Sequence, residues 1–326
     1  ADTTAEEDEA YSYTTTASDV DAGDTVTLTC TTVPSWLTCN AGALTGTPTN
    51  AHVGSHAVVI TATDAAGATA TDSFTIVVSN ANDAPTVTST AVTSATEDAV
   101  YTYTLTGADA DVGDTLTMSG TTVPSWLTFT ASTGVLTGTP TNDNVGTTGN
   151  AVVLTITDAA GESVTDSFTI TVANTNDAPS FSSSPVTTAQ EDDVYTYTAV
   201  GTDMDAGDTF TLGSSSVPSW LTFTASSGVL TGTPANSDVG THSVTLTVTD
   251  AAGAVGTQTF TITVSNANDA PTVTSTAITS ATEDAVYTYT LTGADADVGD
   301  TLTMAGTTVP SWLTFTASTG VLTGTP

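Results

Sequence analysis

Acidic side chains recur in this chain at fixed spacings. Four segments read Asp-x-Asp-x-Gly-Asp: Asp19, Asp21 and Asp24; Asp109, Asp111 and Asp114; Asp203, Asp205 and Asp208; Asp295, Asp297 and Asp300. A single aspartate opens a Gly-containing turn at Asp64, Asp158 and Asp250. Three further segments read Asn-x-Asn-Asp-Ala-Pro, at 80–85, 174–179 and 266–271. Oxygen-only side chains grouped around a glycine that permits a tight turn are what a hard cation such as Ca²⁺ requires. The plainer alternative is Asx-turn chemistry with solvated carboxylates. The repetition of all three elements favours the cation, as does a composition of 35 Asp and Glu with no Lys or Arg.

That charge balance, formally −35, excludes several activities. Nothing here neutralises nucleic-acid phosphates, and no basic patch seeks anionic lipid. Without Lys there is no Schiff base, Walker-type loop or Lys isopeptide; without Arg there is no bidentate anion clamp. The acidity does not signal disorder, because 38% of residues are hydrophobic and they alternate cleanly. Thr makes up about a quarter of the chain, which suits the solvent face of a sheet. No apolar run is long enough to cross a bilayer. Ala1 reads as a processed or cut N-terminus, and no Asn-x-Ser/Thr sequon occurs.

The elements that must position the acids come in repeats. Val-Pro-Ser-Trp-Leu-Thr occurs four times, placing Trp36, Trp126, Trp220 and Trp312 at spacings of 90, 94 and 92 residues. Such a period fits a small sandwich domain rather than a solenoid. The Asn-Asp-Ala-Pro segments divide the chain into 1–83, 84–177, 178–269 and 270–326. The fourth repeat stops level with Pro140, so it is expected to be continued or completed by another chain. Residues 85–140 and 271–326 differ only at Val92/Ile278 and Ser119/Ala305, a recent duplication that implies further copies. Within repeat 2, Tyr101, Tyr103 and Leu105 alternate with threonines; Leu116–Met118, Leu127–Phe129, Val135–Leu136, Leu154–Ile156 and Phe168–Val172 continue the pattern. Asp158-Ala-Ala-Gly161 marks a hairpin turn. About seven short strands per repeat are expected.

These motifs resemble cadherin repeats: Ala-Asp-Ala-Asp-Val-Gly-Asp is similar to their Asp-x-Asp loop, Asn-x-Asn-Asp-Ala-Pro to their linker, and Thr-Asp-Ala-Ala-Gly to their Asp-turn. The stretch Pro-Ser-Trp-Leu-Thr-Phe-Thr-Ala-Ser-Thr-Gly-Val-Leu-Thr-Gly-Thr-Pro is more closely similar to the dystroglycan-type cadherin-like, or "putative Ig", repeats of large prokaryotic surface proteins. The resemblance covers the whole chain. It implies an all-β architecture of tandem seven-stranded Greek-key Ig/cadherin-like sandwiches in an elongated rod, with Ca²⁺ at each junction. At junction 2/3 it implies Glu97 and Asp143 from the lower repeat, Asn174, Asn176 and Asp177 from the linker, and Asp203, Asp205, Asp208 and Asp250 from the upper repeat. At junction 3/4 the set is Glu191, Asp238, Asn266, Asn268, Asp269, Asp295 and Asp297; at junction 1/2 it includes Asn80, Asn82, Asp83, Asp109, Asp111 and Asp158. Ala51-His52 stands at junction 1/2 where the pattern has an acid, so fewer or weaker ions are expected there. Asn in place of the usual first linker Asp lowers the ligand charge.

Each Trp reads as a core anchor rather than a sugar platform. Cys30 and Cys39 occur in one repeat only, flank its Trp, and are expected to form a disulfide, which favours an oxidising compartment. His52 and His56 lie in a turn and a strand start, not a helical zinc pair. No catalytic motif is present. The expected function is a non-enzymatic extracellular stalk of a cell surface or secreted filament, rigidified by Ca²⁺. Its partners would be further repeats or neighbouring subunits, and a surface ligand held by a domain elsewhere; nucleic acid and direct membrane contact are excluded. Two alternatives are a self-assembling filament or sheath subunit and a carbohydrate-binding array.

Overall fold

A computed structural model describes all residues, Ala1–Pro326, which fall into two units, Ala1–Thr175 and Asn176–Pro326. Every regular element is a strand or a short 3₁₀ turn. Repeat 3 shows the full pattern. One sheet has the order Thr188–Gln190, Val255–Ser265, Gly240–Asp250, Phe210–Ser216, in which the first pair is parallel and the others antiparallel. The facing sheet has the order Tyr195–Thr198, Val229–Gly232, Leu221–Thr224. A short strand, Ser180–Phe181, pairs with Gly201–Thr202 beside them.

Period-two alternation fills the space between the sheets. Tyr195, Tyr197, Leu221, Leu230, Val244, Leu246, Phe260, Ile262 and Val264 are buried together, while the intervening threonines point out. In repeat 2, Tyr101, Tyr103, Leu105, Leu136, Leu154, Ile156 and Ile170 form the same core. Repeat 1 repeats it around Tyr11, Trp36, Leu44, Val58, Ile60 and Ile76. Repeat 4 carries the three-stranded sheet Tyr287–Thr290, Val321–Gly324, Leu313–Thr316 and the pair Thr272–Val273 with Gly293–Ala294.

The expected strand set differs at its start. The first strand is divided in two, its leading part pairing antiparallel on one side and its trailing part crossing to pair parallel with the last strand, as Ser94–Thr96 does with Thr171–Ala173. The glycine of Leu-Thr-Gly-Thr-Pro is required by close packing: a Cβ on Gly138 would lie 2.0 Å from the Trp126 carbonyl oxygen, and one on Gly232 1.9 Å from that of Trp220. After each Gly-Thr-Pro the chain makes a 3₁₀ turn, Asn50–His52, Asn142–Asn144 and Asn236–Asp238.

Cys30 and Cys39 are joined, linking strand Thr27–Thr32 of one sheet to Leu37–Asn40 of the other. In repeat 2 the same positions hold Gly120 and Phe129, and the Phe ring packs over the glycine. The disulfide replaces that pair as the contact between sheets.

Candidate functional site

The acidic loops and the linkers meet at the ends of the repeats. Between repeats 1 and 2, both in the first unit, the Asp83 amide donates to Asp111 Oδ2 at 2.8 Å. The Asp111 amide in turn donates to Asp109 Oδ1 at 2.9 Å. Asp109, Asp111 and Asp114 each bring a carboxylate oxygen within 4.8 Å of the others. Gly113, with φ +93°, supplies the left-handed residue that this tight loop needs. Asp158 Oδ1 accepts from the Gly161 and Glu162 amides, and Asn82 Nδ2 donates to Asp158 Oδ2 at 2.9 Å. The Asn82 bond, with the turn amides behind it, holds the Asp158 carboxyl below its usual range against the opposing effect of burial. Asn80 bonds only the neighbouring Ala81 carbonyl.

One oxygen of Asp109 thus shapes the loop, and one of Asp111 holds the linker. The other, Asp109 Oδ2 and Asp111 Oδ1, is buried without any hydrogen-bond partner. From the base of repeat 1 comes Glu7, 2% exposed, with neither oxygen partnered. Burial pushes its carboxyl up. The Ala81 amide, near but outside hydrogen-bond geometry, pulls it down, and Asp83, Asp8 and Asp111 repel it. Asn50 Nδ2 donates to Asp83 Oδ2, leaving Asn50 Oδ1 buried and unpartnered.

The second unit builds a related arrangement between repeats 3 and 4. Glu191, 1% exposed, accepts from the Ala267 amide at 2.6 Å through Oε1, while Oε2 has no partner. Glu191, Asp269 and Asp297 bring one oxygen each within 4.8 Å. The Asp269 amide donates to Asp297 Oδ2 at 2.7 Å, and Asn266 Nδ2 to Asp297 Oδ1 at 2.9 Å. Asp295 Oδ1 accepts from the Asp297 amide, Asn268 bonds the Asp269 carbonyl, and Asn236 Nδ2 donates to Asp269 Oδ2.

The remaining expected residues lie at the end of one unit and the start of the other. In the first unit, Glu97 is 2% exposed and its Oε2 accepts from the Thr175 amide at 3.1 Å, in the linker that also holds Asn174. Asp143 is exposed on its 3₁₀ turn. In the second unit, Asp177 N–H donates to Asp205 Oδ2 and Asn176 Nδ2 to Asp250 Oδ2, both at 2.8 Å. The Asn176 bond and the turn amides lower the Asp250 carboxyl despite burial. Asp203, Asp205 and Asp208 cluster within 4.8 Å, and Asp203 Oδ2 is buried without a partner.

Two features escape a motif reading. Glu7 occupies the position of Glu97 and Glu191, a correspondence visible once the repeats are aligned. The residue that reaches the linker from the 3₁₀ turn is the first, Asn50 or Asn236, and not the acid that follows Gly-Thr-Pro. Asp238, third in its turn, accepts from the Ala235 amide and closes the turn on itself; His52 Nδ1 and Asn144 Oδ1 do the same.

The tryptophans of the three complete repeats pack edge-on against tyrosines, with centroids 5.7–5.9 Å apart. Trp126 Nε1 donates to Asn150 Oδ1. Trp36 is buried in its core, while Trp126 and Trp220 pack partly buried against theirs. His52 and His56 pack tilted and edge-on around Trp36, and His56 Nε2 meets the His52 carbonyl oxygen.

Comparison with known proteins places these ends in context. The chain is 33% identical over 162 residues to the Serine-rich adhesin for platelets of Staphylococcus aureus, covering 49% of this chain and 7% of the adhesin, so it spans a small part of that relative. Among solved structures it is similar to Protocadherin Gamma B2 extracellular cadherin domains 1-5, with TM-score 0.51 and 15% identity, over 100% of this chain and 72% of that one. Mouse Cadherin-23 EC22-24 aligns at TM-score 0.47 and 17% identity, over 82% and 96%. The first of these structures shows the cadherin-like fold. No helix is long and apolar enough to cross a membrane. With matches at residues 1–79, 84–173, 178–265 and 270–326, the chain belongs to the Putative Ig domain family, in four tandem copies.

Proposed function

We propose that the chain is a section of an extracellular adhesive stalk whose repeat junctions are stiffened by Ca²⁺. One observation carries this reading. Glu7 and Glu191 are buried carboxylates with unpartnered oxygens, in a chain that has no Lys or Arg to meet them. Leaving a buried charged acceptor unsatisfied costs more than the roughly 1–3 kcal/mol of a neutral one, so such groups persist where a cation answers them. The donor set fits Ca²⁺: carboxylate and amide oxygens on glycine-turned loops, with no nitrogen or sulfur.

At junction 1/2, Glu7 and Asn50 present oxygens from below, Asp83 from the linker, and Asp109 and Asp111 from above. Glu191, Asp269 and Asp297 make the corresponding set at junction 3/4. Ca²⁺, when bound, neutralises these clustered charges and ties the lower repeat, linker and upper repeat together. The same residue types stand in the sequence at the 2/3 linker. The adhesin relative supports an adhesive role for the longer protein, and the disulfide supports an extracellular location. Further repeats or neighbouring subunits are the partners this reading requires.

Isothermal titration with Ca²⁺, paired with small-angle scattering before and after chelation, tests it. Saturable binding and a smaller, more flexible scattering profile after chelation are expected. Absence of saturable binding sinks the reading.

A further inference from the structure

Every carboxylate-rich junction described above contains neutral amides that do the work of a cation. At junction 1/2, Asn50 Nδ2 donates to Asp83 and Asn82 Nδ2 donates to Asp158. At junction 3/4, Asn236 Nδ2 donates to Asp269 and Asn266 Nδ2 to Asp297. Two of these bonds, from Asn50 and Asn236, run from the base of one repeat to the linker that enters the next. In a chain without Lys or Arg, side-chain amides are among the few groups able to give a hydrogen bond to a buried carboxylate.

An asparagine side chain has two faces of opposite character. Its Nδ2 gives two hydrogen bonds and its Oδ1 accepts, and rotation about χ2 interchanges them at little cost. Asn50 presents Nδ2 to Asp83, while its Oδ1 is buried with no partner. That oxygen is satisfied by turning the amide over, but only if something other than Nδ2 then holds the Asp83 carboxylate. A cation shared between Asn50 Oδ1, Asp83 and Glu7 meets both needs, because amide carbonyls are ordinary ligands of Ca²⁺.

We infer that Asn50 and Asn236 make junctions 1/2 and 3/4 two-state couplings. Without a divalent cation, their amides donate to Asp83 and Asp269 and keep adjacent repeats joined. With the cation bound, the amides turn over and offer Oδ1 as ligands. This rests on the calcium reading above and goes beyond it: loss of the metal weakens the junctions without freeing them. The neutral ligand also has a consequence for affinity. Ligand charge count tunes Ca²⁺ affinity, and extracellular modules lie at dissociation constants of about 10⁻⁴–10⁻³ M. An amide in place of a carboxylate moves these junctions toward that weak end, where the metal exchanges with its surroundings.

The test compares the full chain with two double variants. N50A/N236A removes the donor without adding charge, and N50D/N236D removes the donor but keeps an oxygen ligand. Scattering on the chelated proteins is expected to rank wild type as less flexible than N50A/N236A. Calorimetry is expected to show at least tenfold tighter Ca²⁺ binding for N50D/N236D and weaker binding for N50A/N236A. Circular dichroism checks that the sandwiches remain folded in both, as expected for substitutions in turns. If chelated N50A/N236A scatters like chelated wild type, the amide bonds do not hold the junctions and the inference fails. If Asn→Asp leaves affinity unchanged, Asn50 and Asn236 are not ligands and the second state is wrong. Should wild type bind no Ca²⁺ at all, the calcium reading fails instead, and the metal-free comparison still decides whether the amides couple the repeats.

Discussion

Replacing Glu7 with Gln separates a carboxylate kept for a cation from one that merely packs. Glu7 is sealed from solvent, with both oxygens unpartnered and Asp83, Asp8 and Asp111 repelling it. The substitution keeps shape and removes charge. An unsatisfied buried acceptor costs about 1–3 kcal/mol, and more if charged. The metal-free gain is taken as about 1–2 kcal/mol. That corresponds to roughly a 5–30-fold change in an opening equilibrium. Hydrogen exchange at the Asp83 amide, bonded to Asp111 across the junction, reads it directly. Exchange should slow by about that factor in chelator. In saturating Ca²⁺ the order should reverse, because Gln offers one neutral oxygen where Glu offers two charged ones. Slower exchange in both conditions, or faster exchange in chelator, refutes the argument: the first shows no ligand role, the second a favourable metal-free contact.

Other outcomes follow from the packing. Cutting the Cys30–Cys39 bridge should destabilise repeat 1 alone by about 2–3 kcal/mol in denaturant unfolding, since the closed loop is short; thiol titration of unfolded, unreduced chain should find none. Gly232→Ala should cost about 3 kcal/mol by driving a Cβ into the Trp220 carbonyl, whereas Gly207→Ala, with φ +89° and open space around it, should cost only about 1–2 kcal/mol. Burial pushes the phenols of Tyr11, Tyr101, Tyr103 and Tyr195 up to about 12. The fold therefore favours their neutral form; this contribution is whole below pH about 10 and is lost as pH rises to about 12. Absorbance of tyrosinate and far-ultraviolet dichroism should change together in that window.

The strands were legible because burial follows sequence parity. Tyr195 and Tyr197 face the core, Thr196 and Thr198 do not, and the same holds for their counterparts in repeat 2. The linker meets the acidic loops through the Asp83 amide bond to Asp111 and the Asn82 side-chain bond to Asp158. The divided first strand was not legible, since both halves have the same Thr-rich composition and only pairing partners distinguish them. The Asn50 and Asn236 contacts were hidden for a different reason. A search for acids after Gly-Thr-Pro selects Asp143 and Asp238, which occupy the second and third positions of their turns. Backbone geometry assigns those positions other tasks, exposure and closing the turn, and gives the reach to the first residue.

The placement of charge explains why this composition can fold. In repeat 3 the strands hold no carboxylate except Asp250, at the end of Gly240–Asp250. Repeats 1 and 2 carry Asp72 and Asp166 within strands, but in repeat 3 uncharged threonines cover the sheets and repulsion is gathered at the ends. There the carboxylates are near one another and a linker must pass between them. Screening by salt acts over about 8 Å at physiological strength, but it does not reach oxygens already closed off from water, such as Glu191 Oε2. Those oxygens need a partner inside the junction. Amides supply part of it, and the Ca²⁺ proposed above would supply the rest. The repeats therefore depend on their cores for folding and on their junctions for coupling, and the two can be altered separately.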